Sequence, residues 1–258
     1  MADALRKRIW AGRLSWWALA LSLGGVVAAL IGAIGSGRGL WPFMTGFLIL
    51  RWAFYAAVAG GVLAIVAWFM ARRAPGSLGI VNLVALAVAI AFAAYLLVQV
   101  RTARSVPPIH DVTTDLDSVP RFFRLSLRED NLDNVPAEGD PELMRMTPVE
   151  RWRALHREAY GDLATIQVPW SVDETVRRAE ALARERGWEV ASADPRGIVE
   201  ATDTSTFFRF KDDVVVRVTP NPAGGSHVDM RSVSRVGVSD VGVNARRIRA
   251  FLDDLRAN

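Results

Sequence analysis

Residues 14–37 read LSWWALALSLGGVVAALIGAIGSG, without one charged side chain. A helix of about 20 apolar residues crosses the roughly 30 Å of hydrocarbon in a bilayer. This stretch therefore decides that the chain meets a membrane. Two more uncharged runs follow, 52–71 and 74–100. Spans are expected at about 15–35, 50–70 and 78–100, within a membrane domain over 1–104. Trp10, Trp16, Trp17, Trp41 and Trp52 fall near the ends of the runs, where indoles favour the interface. A cleaved signal peptide is the alternative for the first run. The run is long for that role, and two further spans anchor the chain in either case.

Charge divides the 258 residues into two parts. Residues 1–104 hold ten Lys or Arg against the single acid Asp3, a net of +9. Residues 105–258 hold 21 basic and 26 acidic side chains, a net of −5. The basic excess lies beside apolar helices and the remainder is acidic. That argues against nucleic acid as a partner, because a nucleic-acid protein concentrates basic charge on its folded domain. There is no cysteine, which excludes disulfides and thiolate chemistry.

Sidedness follows from the basic flanks. With the N-terminus in the cytoplasm, Arg6, Lys7, Arg8, Arg13, Arg72 and Arg73 lie inside, against Arg38, Arg51, Arg101 and Arg104 outside. Three spans then place the C-terminal domain outside the cytoplasm. In a bacterial inner membrane that side is the periplasm. The spans carry no ionisable group, and their few polar residues include Thr45, Asn82 and Gln99. Transport pathways put charges or broken helices at mid-membrane, so an anchor is expected. Gly24, Ala28 and Gly32, and Ala56, Gly60 and Ala64, form small-residue faces. Packing within the three-helix unit is preferred over dimerisation as their role.

Residues 105–120, with Pro107, Pro108 and Pro120, read as an extended linker. The domain over 121–258 reads as α+β, an antiparallel sheet with flanking helices. A short strand is expected over 121–127. A helix is expected over 148–160, with Thr147 as N-cap and Pro148 at its first position. A second helix should start at Ser171 or Asp173, run to about 186 with Val172, Val176, Ala179, Leu182 and Ala183 on one face, and stop at Gly187. Strands are expected over 188–192, 197–204, 214–219 and 227–235, with turns at 211–213 and 221–225. A last helix over 244–255 presents Ile248, Phe251, Leu252 and Leu255.

Two stretches carry a family resemblance. Residues 107–115, PPIHDVTTD, resemble the opening motif of the DUF1499 family. Residues 231–248, RSVSRVGVSDVGVNARRI, resemble its closing motif, and 207–216 with Asp212 and Asp213 is similar to its middle. The resemblance covers about 107–258 and leaves the membrane helices outside. It implies a domain found in bacteria and plastids with no assigned biochemical activity.

The closing motif is the first candidate site. On a strand, Arg231, Val233 and Arg235 share one face and Ser232 and Ser234 the other. Ser239, Asp240 or Asn244 can then cap the last helix. Two arginines, hydroxyls and a helix start suit an anion, such as a phosphate or carboxylate. The structural alternative has Asp240 as a cap and Arg231 or Arg235 paired with a strand carboxylate such as Asp203 or Asp213. His110 and Asp111 are the secondary candidates. One histidine beside a carboxylate is a weak metal signal, because a catalytic zinc takes three protein ligands, and His156 and His227 extend it by no recognised spacing. A segment packed across the domain, with Asp and Thr fastening turns, is preferred. Arg177, Arg178, Arg184 and Arg186 alternate with Glu174, Glu180 and Glu185, which suits a solvated helix face. No G-x-S-x-G, P-loop or dinucleotide fingerprint is present, and no metal or cofactor is expected.

The expected function is a membrane-anchored binding or accessory module of the cell envelope, whose partners are the bilayer and an envelope protein or anionic ligand. The alternative is a hydrolase-type enzyme that joins His110 and Asp111 to the 231–240 region. It requires those distant stretches to meet.

Overall fold

The computed structural model describes residues 2–71, 78–133, 135–137 and 139–257. The chain divides into two compact units. One holds residues 1–101 with Thr206–Arg209, and the other Thr102–Ser205 with 210–258.

The first unit contains α1 (Ala2–Gly37), α2 (Phe43–Ala71) and the body of α3 (Leu78–Ser105). Each is long and apolar enough to cross a membrane, over Arg6–Gly37, Phe43–Met70 and Leu78–Ser105. Large apolar side chains such as Trp16, Ile31, Val62, Ile80 and Leu97 lie exposed along them. A water-soluble surface avoids such apolar density, and lipid tolerates it. The helix-to-helix seam is built from small residues. Ala11, Ser15, Ala18, Ser22, Gly25, Ala29 and Gly32 are buried along α1, as are Ala53, Ala57, Gly60, Ala64 and Ala67 along α2. A Cβ on Gly60 would lie 2.5 Å from Ser22 Oγ and 2.8 Å from the Ala18 carbonyl oxygen. One on Gly25 would lie 2.6 Å from the Ala53 carbonyl oxygen. Gly24 is exposed and faces open space, so Gly25 occupies the seam position expected for it. The Arg72–Arg73 turn invoked for sidedness lies outside the described residues.

The second unit is a sheet with helices. Its elements are β1 (Asp111–Thr113), α4 (Pro141–Arg145), α5 (Pro148–Tyr160), β2 (Ile166–Val168), α6 (Val172–Glu185), β3 (Glu189–Asp194), β4 (Ile198–Thr204), β5 (Lys211–Pro220), β6 (Ser226–Ser234) and α7 (Val243–Ala257). The sheet order is β1-β6-β5-β4-β3, β2 also pairs with β6, and every pairing is antiparallel.

Local chemistry sets the helix ends. Thr147 and Glu150 form a capping box at the start of α5, with Pro148 in its first turn. The Ser171 hydroxyl accepts from the Glu174 amide and caps α6. Gly187, at φ +76°, ends that helix, with the Trp188 amide donating back to the Ala183 carbonyl. Period-2 alternation then builds the core. Val199, Ala201, Val214, Val216, Val218, Val228 and Met230 meet Val176, Ala179 and Leu182 of α6 and Ile248, Phe251 and Leu255 of α7. Trp188 stacks on Phe251 with ring centroids 5.2 Å apart.

Three segments depart from the sequence reading. Residues 121–127 form a loop in place of the expected strand. Residues 211–213, expected as a turn, open β5, and the reversal lies at 205–210, where the Ser205 amide donates to the Phe210 carbonyl. The extended linker assigned to 105–120 contains a buried strand, β1, and the last residue of α3. Asp111 and Asp213 conceal these strands in the sequence because acids disfavour sheets. Here each acid meets an arginine.

Candidate functional site

Pairing of β1 with β6 brings the opening and closing motifs side by side, with Asp111 opposite Val233 and Thr113 opposite Arg231. The face of β6 turned from the helices carries His227, Asp229, Arg231 and Val233. Arg231 donates from Nε to Asp111 Oδ1 at 2.9 Å and from Nη2 to Oδ2 at 2.6 Å. Asn131 donates to the same carboxylate at 2.6 Å, and Arg231 Nη1 donates to the Pro120 carbonyl at 3.2 Å. The Phe122 ring centroid lies 5.9 Å from that guanidinium.

The same construction recurs along this face. Arg235 grips Asp213 with two bonds of 2.8 Å, and the Thr202 hydroxyl donates to Asp213 at 2.7 Å. Arg217 bridges Asp229 at 2.8 Å and Asp115 at 2.9 Å. Burial works against the Asp115 carboxylate, but the Ser118 amide, Arg217 and the Asp117 amide outweigh it and hold its pKa below the ordinary value. Glu200, fully buried, accepts from the backbone amides of Phe123, Arg124 and Leu125 at 2.7–3.1 Å. The 121–127 loop is thus shaped around a carboxylate.

The helix-side face carries the other half of the motif. Asn244 is its hub. Its amide nitrogen donates to the His110 carbonyl at 2.9 Å and to Ser234 Oγ at 3.0 Å, while its oxygen accepts from Ser232 Oγ at 2.6 Å and from Arg247. Arg247 also reaches Asp203 at 2.8 Å and Asp212 at 2.6 Å. Asp240 caps α7, accepting from the amides of Gly242 at 2.8 Å and Asn244 at 2.6 Å. Burial pushes the Asp240 pKa up, and the two amides partly offset it. Ser239 Oγ accepts from the Val241 amide at 3.2 Å.

The expected site residues therefore lie together, on the two faces of the sheet across β1, β6, β5 and β4 and in the turn into α7. The anions that meet Arg231 and Arg235 are the protein's own Asp111 and Asp213, and Asp203 goes to Arg247. The stretches required by the hydrolase alternative do meet. His110 Nδ1 lies 3.4 Å from the Val238 carbonyl oxygen, and the Ser234 amide donates to the His110 carbonyl. Yet His110 and Asp111 are only 1% and 0% exposed, so both are buried and neither is presented at the surface. Sequence reasoning missed Glu200, Arg217, Asp229, Arg247 and Asn131. Arg247 stood inside the quoted motif. Glu200, an acid in the middle of an apolar strand, was the other available signal.

Beside the closing motif, the described residues leave a loop and a cleft open to solvent. The loop after β6 exposes Val236 and Val238, and Val243 at the start of α7 is exposed as well, at 39%, 42% and 39%. A shallow cleft of about 440 Å³ beside them is lined by Arg186, Trp188, Asp203, Val243, Arg246 and Arg247.

The family model described as Protein of unknown function (DUF1499) matches residues 111–255. Its start coincides with the first residue of β1, so the match includes the strand that carries Asp111. A comparison with curated proteins finds no match.

Proposed function

The chain belongs to the DUF1499 family, and from that premise we propose that it is a membrane-anchored binding or accessory module of the cell envelope. The single observation that carries this reading is how the motif side chains are spent. The carboxylates and guanidiniums of the opening and closing motifs are engaged in pairs, caps and bridges, most of them away from water. Catalysis requires a reactive group within reach of a substrate. Binding requires only a rigid exposed surface, and the rigid frame here presents Val236, Val238 and Val243.

The basic flanks support a bacterial inner-membrane location with the N-terminus in the cytoplasm and the folded domain in the periplasm. An envelope protein is the occupant we assign to this loop, whose exposed side chains Val236, Val238 and Val243 are apolar. The adjoining cleft favours a second reading, an anionic small ligand. The Arg246 guanidinium there donates to the Val241 carbonyl and is exposed.

A photo-crosslinking residue placed at Val236, Val238 or Val243 in the full-length protein, in its native membrane, tests the first reading. A discrete adduct from the loop, absent from a control on the solvent face of α6 such as Arg177, supports it. Equal or no adducts at both places sink it. A C-terminal reporter active only outside the cytoplasm tests the sidedness, and a reporter active only inside reverses it.

A further inference from the structure

One side of α1 changes character within about three turns. Arg8, Ile9, Gly12, Arg13, Trp16, Trp17 and Ala20 recur at helical spacing and, with Leu78 at the start of α3, line an open groove of about 730 Å³. The guanidiniums of Arg8 and Arg13 lie toward one end, beside Ile9 and Leu78, and the two indoles and then Ala20 follow along the helix. Trp16 and Trp17 are 61% and 64% exposed, so both indoles are largely open. Gly12 keeps the floor low, since a Cβ there would meet only Leu78 Cδ1, at 4.0 Å.

The charges in this groove are not balanced locally. Residues 1–104 contain one acid, Asp3, against ten basic residues. Among the described residues neither Arg8 nor Arg13 has a carboxylate partner. Arg13 stacks over the Trp10 ring, 5.4 Å from its centroid. This is the reverse of the folded domain, where arginine after arginine meets an aspartate. The distances also fit a lipid. Arg13 and Ala20 are separated by about 10 Å along the helix axis, at 1.5 Å per residue. The head-group layer on each side of a bilayer is about 5–8 Å thick. Guanidiniums at phosphate depth thus place the indoles at the glycerol level and Ala20 among the acyl chains.

We propose that this groove is a binding site for an anionic phospholipid, with its phosphate against Arg8 and Arg13 and its glycerol and upper acyl chains along Trp16, Trp17 and Ala20. Two guanidiniums with no carboxylate partner among the described residues repel the cationic end of a zwitterionic head group and attract a net negative one, which sets the selectivity. The site does not depend on which side of the membrane α1 begins.

The test uses the full-length protein in detergent, titrated with phosphatidylglycerol or phosphatidylcholine and read by native mass spectrometry. Phosphatidylglycerol is expected to remain bound in preference to phosphatidylcholine. Arg8→Gln with Arg13→Gln should weaken it about thirtyfold, from roughly fivefold for each cation near an anionic surface. Arg101→Gln with Arg104→Gln, at the far end of α3, should leave it in place. Equal retention of the two lipids by the wild type, or unchanged affinity in the Arg8/Arg13 variant, overturns the proposal. So does inorganic phosphate that competes as well as the lipid, because a bare anion site needs no groove. The wild-type comparison decides the matter even if the double variant fails to fold.

Discussion

The Asp111 carboxylate and the Arg231 guanidinium face each other in a two-point pair, 2.9 Å and 2.6 Å apart, with side chains 0% and 9% exposed. Such a pair repays its desolvation only while both members are present. Loss of one leaves a buried charge without its counter-ion and costs about 3–5 kcal/mol. Arg231→Ala should lower the unfolding free energy of the detergent-solubilised protein by that amount. The double change Asp111→Asn with Arg231→Met should cost less than the two single changes added together. Additive losses would mean that the pair is not coupled.

Glu200 should govern the order of the loop that wraps it. In Glu200→Gln one carboxylate oxygen becomes an amide N–H₂ that faces amide donors, so at least one of the Phe123, Arg124 and Leu125 bonds is lost. A hydrogen bond to a charged group contributes about 1.5–3 kcal/mol. Amide hydrogen exchange at 123–125 should quicken by at least about tenfold, the equivalent of 1.4 kcal/mol, while exchange in β5 is unaffected. Unchanged protection of the loop would show that other contacts hold it.

Asp240 closes the N-terminus of α7. Asp240→Ala should cost about 0.5–2 kcal/mol, the usual range for removing an N-cap side chain, and Asp240→Ser should recover part of that. Chemical unfolding of the two variants checks the order. A serine variant no better than alanine would argue that the carboxylate is needed for more than the cap.

His156 predicts an acid-sensitive domain. Its Nε2 accepts from the Thr113 amide at 3.1 Å, and burial pushes its pKa down to about 4, from 6.5 in an unfolded chain. Between those values the unfolded chain binds the proton and the folded one does not. Stability is therefore complete above pH 6.5 and falls as the pH drops toward 4, by about 3 kcal/mol if His156 acts alone. Unfolding free energies at pH 7 and 4.5 should differ by less in His156→Gln than in the wild type. Identical differences would remove His156 as the cause.

The α1–α2 seam admits nothing larger than its present side chains. Gly60→Val would drive methyl groups into Ser22 and the Ala18 carbonyl, and overpacking of this kind costs about 1–3 kcal/mol. Gly24→Val, one residue from Gly25 but facing open space, should be tolerated. Thermal unfolding of the two variants in the same detergent separates them, and equal midpoints would contradict this seam.

Local signals in the chain announced much of this fold. Uncharged runs marked the spans. Thr147 before Pro148, and Ser171 and Gly187 around an apolar stripe, marked α5 and α6. What stayed hidden shares one cause. Asp111, Asp212, Asp213 and Glu200 are acids on buried strands, and each is stabilised by a partner remote in sequence, such as Arg231 at 120 residues or Arg247 at 35. No window of neighbouring residues contains that information. The candidate site was legible as a set of residues. Its pairings were only partly legible: a strand carboxylate such as Asp203 or Asp213 is the expected partner of Arg231 or Arg235, and the structure gives Asp213 to Arg235, Asp203 to Arg247 and Asp111 to Arg231.

The β1–β6 pairing has a consequence for how the molecule is made. The sheet sets Asp111 against Val233, so its earliest strand waits for its last. During synthesis the three apolar helices can enter a bilayer well before residue 234 exists, and until then β1 has no partner and Asp111 no arginine. Contacts so distant along the chain close slowly. A domain built this way closes only when its last strand has been made, with its first strand already tethered to the apolar helices that precede it.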